Sequence, residues 1–222
     1  MNKLQICQKI LEEADRDPET LQSVQDVNGL DDQHRNIVRW VDREYDRIQR
    51  SAKFWKFHHQ SGLFLTTSSD GTTDYTVPNV REIHAWTIKA KVQGTTAEWP
   101  LHLYTYEEWR KKFLIGRMAP GTPVMITRVP NGDFRLYPAP LKVFEIYADW
   151  SRTFHRMITD TDSPLWNSDD YDEYLIWRVL ENYVSEYDVP ELAARVAKNL
   201  PHAKVIFDQE LLPEWEDFQG LI

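Results

Sequence analysis

Apolar residues recur every three or four positions at both ends of the chain and every second position in its middle, and this change of period divides the sequence. Over Asn2 to Arg16 the stripe Leu4, Cys7, Leu11 and Ala14 predicts a helix, with Asn2 as its cap, Gln5 at its third position and Pro18 beyond its end. From Asp31, the residues Ile37, Val41, Tyr45, Ile48, Ala52 and Trp55 keep helical spacing and predict a long second helix. Toward the C-terminus Ile176, Val179, Leu180, Tyr183 and Tyr187 predict a helix opened by Asp170 and Glu173. Asp188 and Glu191, with Pro190 in the first turn, open another. Pro201 interrupts that last pattern, so Leu192 to Leu200 and Val205 to Leu212 read either as one kinked helix or as two.

The middle reads as sheet. Gly62 to Thr67 and Thr73 to Val77 are rich in β-branched and aromatic residues around an Asp70-Gly71 turn. Arg81 to Val92 alternates, with Trp86, Ile88, Ala90 and Val92 expected on one side. Gln93 to Thr96 reads as a loop. Thr105 to Phe113 reads as a short helix with a capping box, Thr105 to Glu108, and with Tyr104 placed to staple onto Trp109. Thr122 to Pro140 predicts a hairpin whose Asn131-Gly132 pair suits a two-residue type I′ turn. Pro138 and Pro140 stop its second strand. Leu141 to Trp150 then alternates through Phe144, Ile146, Ala148 and Trp150 as the third strand of a meander.

The expected fold class is therefore α+β. Amphipathic helices in 1–58 and 152–212 bury their stripes most economically against one another, as a bundle of about four helices. An antiparallel β-sheet lobe carrying the short helix 105–113 is inserted at 59–151. Residues 213–222 form an extended C-terminal tail whose Trp215, Phe218, Leu221 and Ile222 sit on a segment too short to bury them by itself, so the tail reads as a docking segment.

Composition narrows the function. The chain of 222 residues is 41% hydrophobic and 13% aromatic, enough to fold, while a mean hydropathy of -0.58 gives it a strongly polar surface. No run approaches the roughly 20 apolar residues of a membrane span, and an aqueous, cytoplasmic site of synthesis is expected. Cys7 is the single cysteine, which excludes an intrachain disulfide and a cysteine-based zinc site; its spacing suits a small core residue. The net charge of -9 is spread along the chain, and no Lys/Arg cluster interleaves with the aromatics, which argues against a surface that gains affinity by neutralising phosphates.

Chemistry-bearing motifs are missing. No phosphate loop, dinucleotide fingerprint, nucleophile elbow or His-Glu-x-x-His occurs, and 8 glycines leave little loop material to cradle a cofactor. His58 and His59 are neighbours, which point about 100° apart on a helix and cannot both face one metal. Asp160 and Asp162 resemble the start of a calcium loop, but Pro164, Leu165 and Trp166 follow where oxygen ligands are needed. Glu107-Glu108 resembles a glycosidase carboxylate pair, yet Glu108 is already explained by the capping box. Trp86, Trp99, Trp109, Trp150 and Trp166 suit a sugar cleft less simply than they suit core and interface packing. No catalytic residue, metal or cofactor is expected.

The order of elements resembles the bacteriophage head-to-tail adaptor (connector, head-completion) proteins, the group that includes the tail-tubular-A type. The resemblance rests on the long helix ending in Ala52-Lys-Phe-Trp-Lys-Phe57, then Asp74-Tyr-Thr-Val-Pro78 leading into Arg81-Glu-Ile83. Pro100-Leu101 with Tyr106-Glu-Glu-Trp109 follows, then Gly121-Thr-Pro123 opening a hairpin that ends Arg135-Leu-Tyr-Pro-Ala-Pro140. Tyr147-Ala-Asp-Trp150 and Asp162-Ser-Pro164 precede the two closing helices. Trp150 stands where such proteins carry a tyrosine, and the segment Trp86 to Trp99 is longer than usual.

The resemblance implies a structural role in the virion neck, after synthesis in the host cytoplasm: a dodecameric ring below the portal that extends the DNA channel and offers a platform to the next tail or collar protein. Packaged DNA would pass without specific binding, repelled by the acidic wall, and no membrane would be involved. Leu212, Trp215, Phe218, Leu221 and Ile222 would anchor in the portal. Trp86, Trp109, Asn131, Phe134 and Tyr137 on the sheet lobe would meet a neighbouring subunit or the tail. A gatekeeper or tail-tube component, and a carbohydrate-binding or hydrolytic module, are the alternatives.

Overall fold

A computed structural model describes residues 1–15, 32–51, 55–113, 120–166 and 168–212. The chain divides into two compact units, Met1–His58 with Phe154–Ile222, and His59–Thr153. Both helices and sheets are present, so the fold is α+β.

The first unit contains α1 (Lys3–Asp15) and α2 (Asp32–Ser51). Asn2 and Gln5 form the expected reciprocal box: the Gln5 N–H donates to Asn2 Oδ1 and the Asn2 N–H to Gln5 Oε1, each at 2.8 Å. Two further N–H groups of this first turn find carbonyls in a distant loop, Lys3 on Asp162 at 2.8 Å and Leu4 on Asp160 at 3.2 Å. The loop that resembles a calcium site thus caps a helix with its backbone. The Asp162 carboxylate accepts from the Ile158 and Thr159 N–H groups, which hold its pKa below the usual range.

Cys7 and Leu11 are buried as expected, Leu4 and Ala14 pack on the same core, and Ile6 and Ile10 join them from the flank of the stripe. From α2, Ile37, Val41, Tyr45 and Ile48 enter this core, and Trp55 follows, its indole donating to the Ile48 carbonyl. Two long helices of the second half of the chain complete it. Of these, α4 (Asp169–Tyr187) contributes Leu175, Ile176, Val179, Leu180 and Tyr183, while Tyr187 at the end of the predicted stripe is exposed. The other, α5 (Pro190–Leu211), contributes Leu192, Val196, Ala203 and Phe207.

Both predicted caps of these helices move. Ser168 holds the cap position of α4, so Asp170 lies inside its first turn. Asp188 has φ +50° and ends α4 in the left-handed region instead of opening α5. Pro190 does sit in the first turn of α5, where a missing N–H costs nothing, and α5 continues through Pro201 as one helix.

The second unit carries two sheets and a short strand pair. Its strands are β1 (His59–Thr66), β2 (Asp74–Tyr75), β3 (Val80–Ile83), β4 (Lys89–Val92), β5 (Glu98–Pro100), β6 (His102–Tyr104), β7 (Pro120–Gly121), β8 (Met125–Arg128), β9 (Phe134–Tyr137), β10 (Ala139–Pro140) and β11 (Phe144–Arg152). One sheet has the order β1-β11-β4-β5, with β3 also on β11; the other has the order β2-β9-β8-β6. Phe64, Val80, Ile88, Ala90, Leu101, Ile126, Phe134, Leu136, Ile146 and Ala148 form one core.

Several expected pairings give way to non-local ones. The runs flanking Asp70-Gly71 do not pair with each other: the first, in β1, joins β11, and the second, in β2, joins β9. The stretch Arg81 to Val92 is broken by a 3₁₀ turn at Ala85–Thr87, which turns Trp86 outward while Ile88 and Ala90 stay buried. The 122–140 hairpin forms, but β11 joins the other sheet, so no meander results. The sheet is also not wholly antiparallel. Strands β6 and β8 run parallel because the helix α3 (Tyr106–Lys112) lies on the crossover between them.

The hairpin turn differs from the type I′ expectation. Of Asn131 and Gly132 only Gly132 has positive φ, at +98°. Pro130, fixed near the φ of a first turn position, starts a three-residue loop closed by Gly132 N–H to the Val129 carbonyl and Val129 N–H to the Asp133 carbonyl, each 2.9 Å. Tyr137–Pro138 is cis, and Pro138 lies against Gly121, where any Cβ would come within 3.2 Å of the proline ring.

Candidate functional site

The five lobe residues expected at an interface do not share a surface. α3 forms with its capping box, the Glu108 N–H donating to Thr105 Oγ1 and the Thr105 N–H to Glu108, and this directs Trp109 inward. Trp109 is 3% exposed and meets Tyr137 edge to face at 6.1 Å. Tyr104, expected as its staple, holds Lys112 over its ring at 4.2 Å. Phe134 is fully buried, with its ring at 4.9 Å from Phe64, because it shares the inner face of β9 with Leu136, alternating with Arg135 and Tyr137. Trp109 and Phe134 are therefore core residues of the lobe.

Tyr137 is half-buried against Phe113 at 4.4 Å. Asn131 and Trp86 are exposed, the first in the β8–β9 loop and the second on the 3₁₀ turn between β3 and β4. Asn131 stabilises its own loop through Asp133, and Trp86 stands 60% exposed on the 3₁₀ turn beside β11. Of the tail anchors, Leu212 is half-buried against the helical core. Trp215, Phe218, Leu221 and Ile222 lie outside the described residues.

Most of the residues whose types suggest chemistry are held in packing or hydrogen bonds. Burial pushes the Cys7 thiol up to about 12, so it stays protonated. His58 is buried with Phe57 and Phe154 around its ring, while His59 is exposed at the start of β1. In the lobe, Trp99 donates to the Pro123 carbonyl at 2.8 Å and Trp150 packs on Phe64. In the helical unit, Trp166 is buried with its indole N–H on Asp172. The tryptophans thus do not line one cleft within either unit. Burial raises the Asp172 carboxyl pKa despite that bond.

The solvent face of α2 carries a feature that the summed charge conceals. Arg35, Arg39, Arg43, Arg47 and Arg50 are all exposed there, in a chain that is acidic overall. The sequence holds the signal: four of the five recur at every fourth position, which places them on one stripe. Beneath them the buried Glu44 holds Arg178 of α4 at 3.1 Å and accepts from Asn182 at 3.2 Å.

A second surface feature is a groove between α4 and α5. Asp170, Glu173 and Glu210 line it beside Tyr171, Trp177 and Ile206. None of the described helices is long and apolar enough to cross a membrane.

A comparison with curated proteins finds no match. The family described as SU10 adaptor protein matches residues 1–200, which takes in the whole sheet lobe and all of the helical unit up to the middle of α5. This agrees with the resemblance to phage head-to-tail adaptors carried by the order of motifs from the long helix to the closing pair. The chain belongs to the SU10 adaptor protein family.

Proposed function

We propose that this protein is the structural, non-enzymatic head-to-tail adaptor of a tailed bacteriophage, a subunit of a dodecameric ring under the portal that extends the DNA channel and carries the tail platform. The observation that carries this reading is the family match over residues 1–200. Physical features support it. Helices α1, α2, α4 and α5 share one core and would act as the rigid bundle of the ring wall. The inserted lobe presents Trp86 and Asn131 for contact with a neighbour or with the next tail or collar protein.

The tail would anchor in the portal through Trp215, Phe218, Leu221 and Ile222. Each buried side chain contributes about 1.5–3 kcal/mol against the entropy of ordering the segment. Ring symmetry repeats that contact, so modest single affinities give a lasting attachment. A net charge of -9 repels passing phosphates and lets DNA slide through. The protein then resides in the virion neck and assembles there from the host cytoplasm.

Electron microscopy of the protein mixed with purified portal rings tests the reading through symmetry, partner and tail position together. A twelve-fold collar beneath the portal is expected. Failure to bind the portal, with binding to a separate adaptor ring, would replace this reading with a gatekeeper or tail-tube role.

A further inference from the structure

The arginine stripe and the acidic groove of the helical unit are complementary. Arg35, Arg39, Arg43 and Arg47 rise about 6 Å per step along α2, about 18 Å in all. Contacts within the chain leave donors of Arg43 and Arg47 available. Arg43 donates to Asn182 at 2.7 Å and lies 3.4 Å from Glu44, and Arg47 stands 3.8 Å from Glu44. A guanidinium has five N–H donors, and these contacts occupy one or two of them.

The groove offers what a guanidinium binds, carboxylates beside aromatic faces. The chain holds one such pairing within itself, with Arg195 6.0 Å from the ring of Trp177. Glu173 is engaged by Lys9 and by the Trp177 indole, whereas Asp170 and Glu210 are exposed rim carboxylates. From Asn199 to Glu210 the α5 side of the groove runs about 17 Å, close to the length of the stripe. The chain's own C-terminal segment suits the groove poorly, because Glu214, Glu216 and Asp217 would bring carboxylates to a carboxylate rim. A contact between two α2 stripes would likewise oppose arginines.

We propose that the arginine stripe of α2 docks into the α4–α5 groove of the next copy of this chain. Stripe and groove are different surfaces, so the contact is heterologous and can propagate around a closed ring. The inference rests on the ring reading above and names the contact that would hold that ring. Duplex DNA is the competing polyanion for the stripe. Asp42 and Asp46, exposed and half-buried on the same helix, reduce its net charge, and DNA gives no role to the groove.

The test uses two full-length double variants, Arg39→Glu/Arg47→Glu and Asp170→Arg/Glu210→Arg, each checked for wild-type thermal unfolding and supplied to adaptor-deficient heads bearing portal. Each alone is expected to lose at least tenfold in incorporation, and an equimolar mixture to recover it, because reversed stripe then meets reversed groove. Incorporation of either variant alone at the wild-type level, or failure of the mixture to recover, overturns the inference. Loss of duplex DNA binding in the stripe variant with incorporation intact assigns the stripe to DNA and also overturns it. If wild-type protein itself does not enter the heads, the adaptor reading fails; if it enters and the variants enter equally well, only this contact fails.

Discussion

Gln49 and His155 exchange two hydrogen bonds: the Gln49 side-chain N–H donates to the His155 carbonyl at 2.9 Å, and the His155 backbone N–H donates to Gln49 Oε1 at 2.8 Å. A buried side chain of α2 thereby imitates a strand partner for the segment that re-enters the helical unit after the lobe. The Tyr45 hydroxyl adds to the joint, accepting the Leu165 N–H at 3.1 Å and lying 3.0 Å from His155 Nδ1. Replacing Gln49 with Leu leaves both backbone groups of His155 without this partner, at a cost of about 2–4 kcal/mol. Denaturant unfolding should show this loss, and a midpoint unchanged from wild type would refute the joint.

Trp86 and Phe134 should separate surface from core. Phe134→Ala empties a fully buried site and should destabilise the chain by about 3–5 kcal/mol. Trp86→Ala should leave thermal unfolding within about 0.5 kcal/mol of wild type, as surface changes usually do, while reducing assembly onto heads or tails. A stable Trp86→Ala protein that assembles normally would remove Trp86 from the interface.

The cross-strand pair Asp74 and Arg135 is bidentate, with Arg135 Nε and Nη2 each 2.6 Å from a carboxylate oxygen. The guanidinium holds the Asp74 carboxyl below its ordinary value of 3.8. The unfolded chain therefore takes up this proton first as pH falls. The contribution is present above the ordinary value and is lost as pH drops through the lower native one. Because both groups are about one-third exposed, solvent screening limits the expected cost of Asp74→Asn to about 1 kcal/mol at neutral pH. That difference should shrink as the pH is lowered below 3.8; a constant difference would assign the effect to packing.

Deleting 213–222 should leave the helical unfolding transition intact and abolish incorporation into heads. Normal incorporation of the truncated protein would refute the anchoring role.

What is legible in the sequence follows the range of the interactions. Helix ends set by near neighbours can be read, as with Asn2 to Gln5 and Thr105 to Glu108, because a capping box is complete within four residues. Asp188 misleads for the same local reason: it resembles a cap, yet its left-handed φ ends α4. Strand existence is legible and strand partnership is not, since β1 finds β11 across the whole lobe. The turn at Asn131 departs from the two-residue form because Pro130, just before the Asn-Gly pair, lengthens the loop by one residue. Phe134 belongs inside although expected at a surface, and its shared face with Leu136, two residues on, is the signal that points inward. The arginines of α2 stand in plain view at every fourth position, masked only by the sum of charges.

His58 and Phe154, the last and first residues of the helical unit on either side of the lobe, have their rings 5.6 Å apart, and within the lobe His59 pairs with Ser151. The lobe therefore leaves and returns through one doorway. A segment tethered in this way is an exchangeable cassette. Replacing residues 59–153 by another lobe of similar doorway width should leave the core of the helical unit folded.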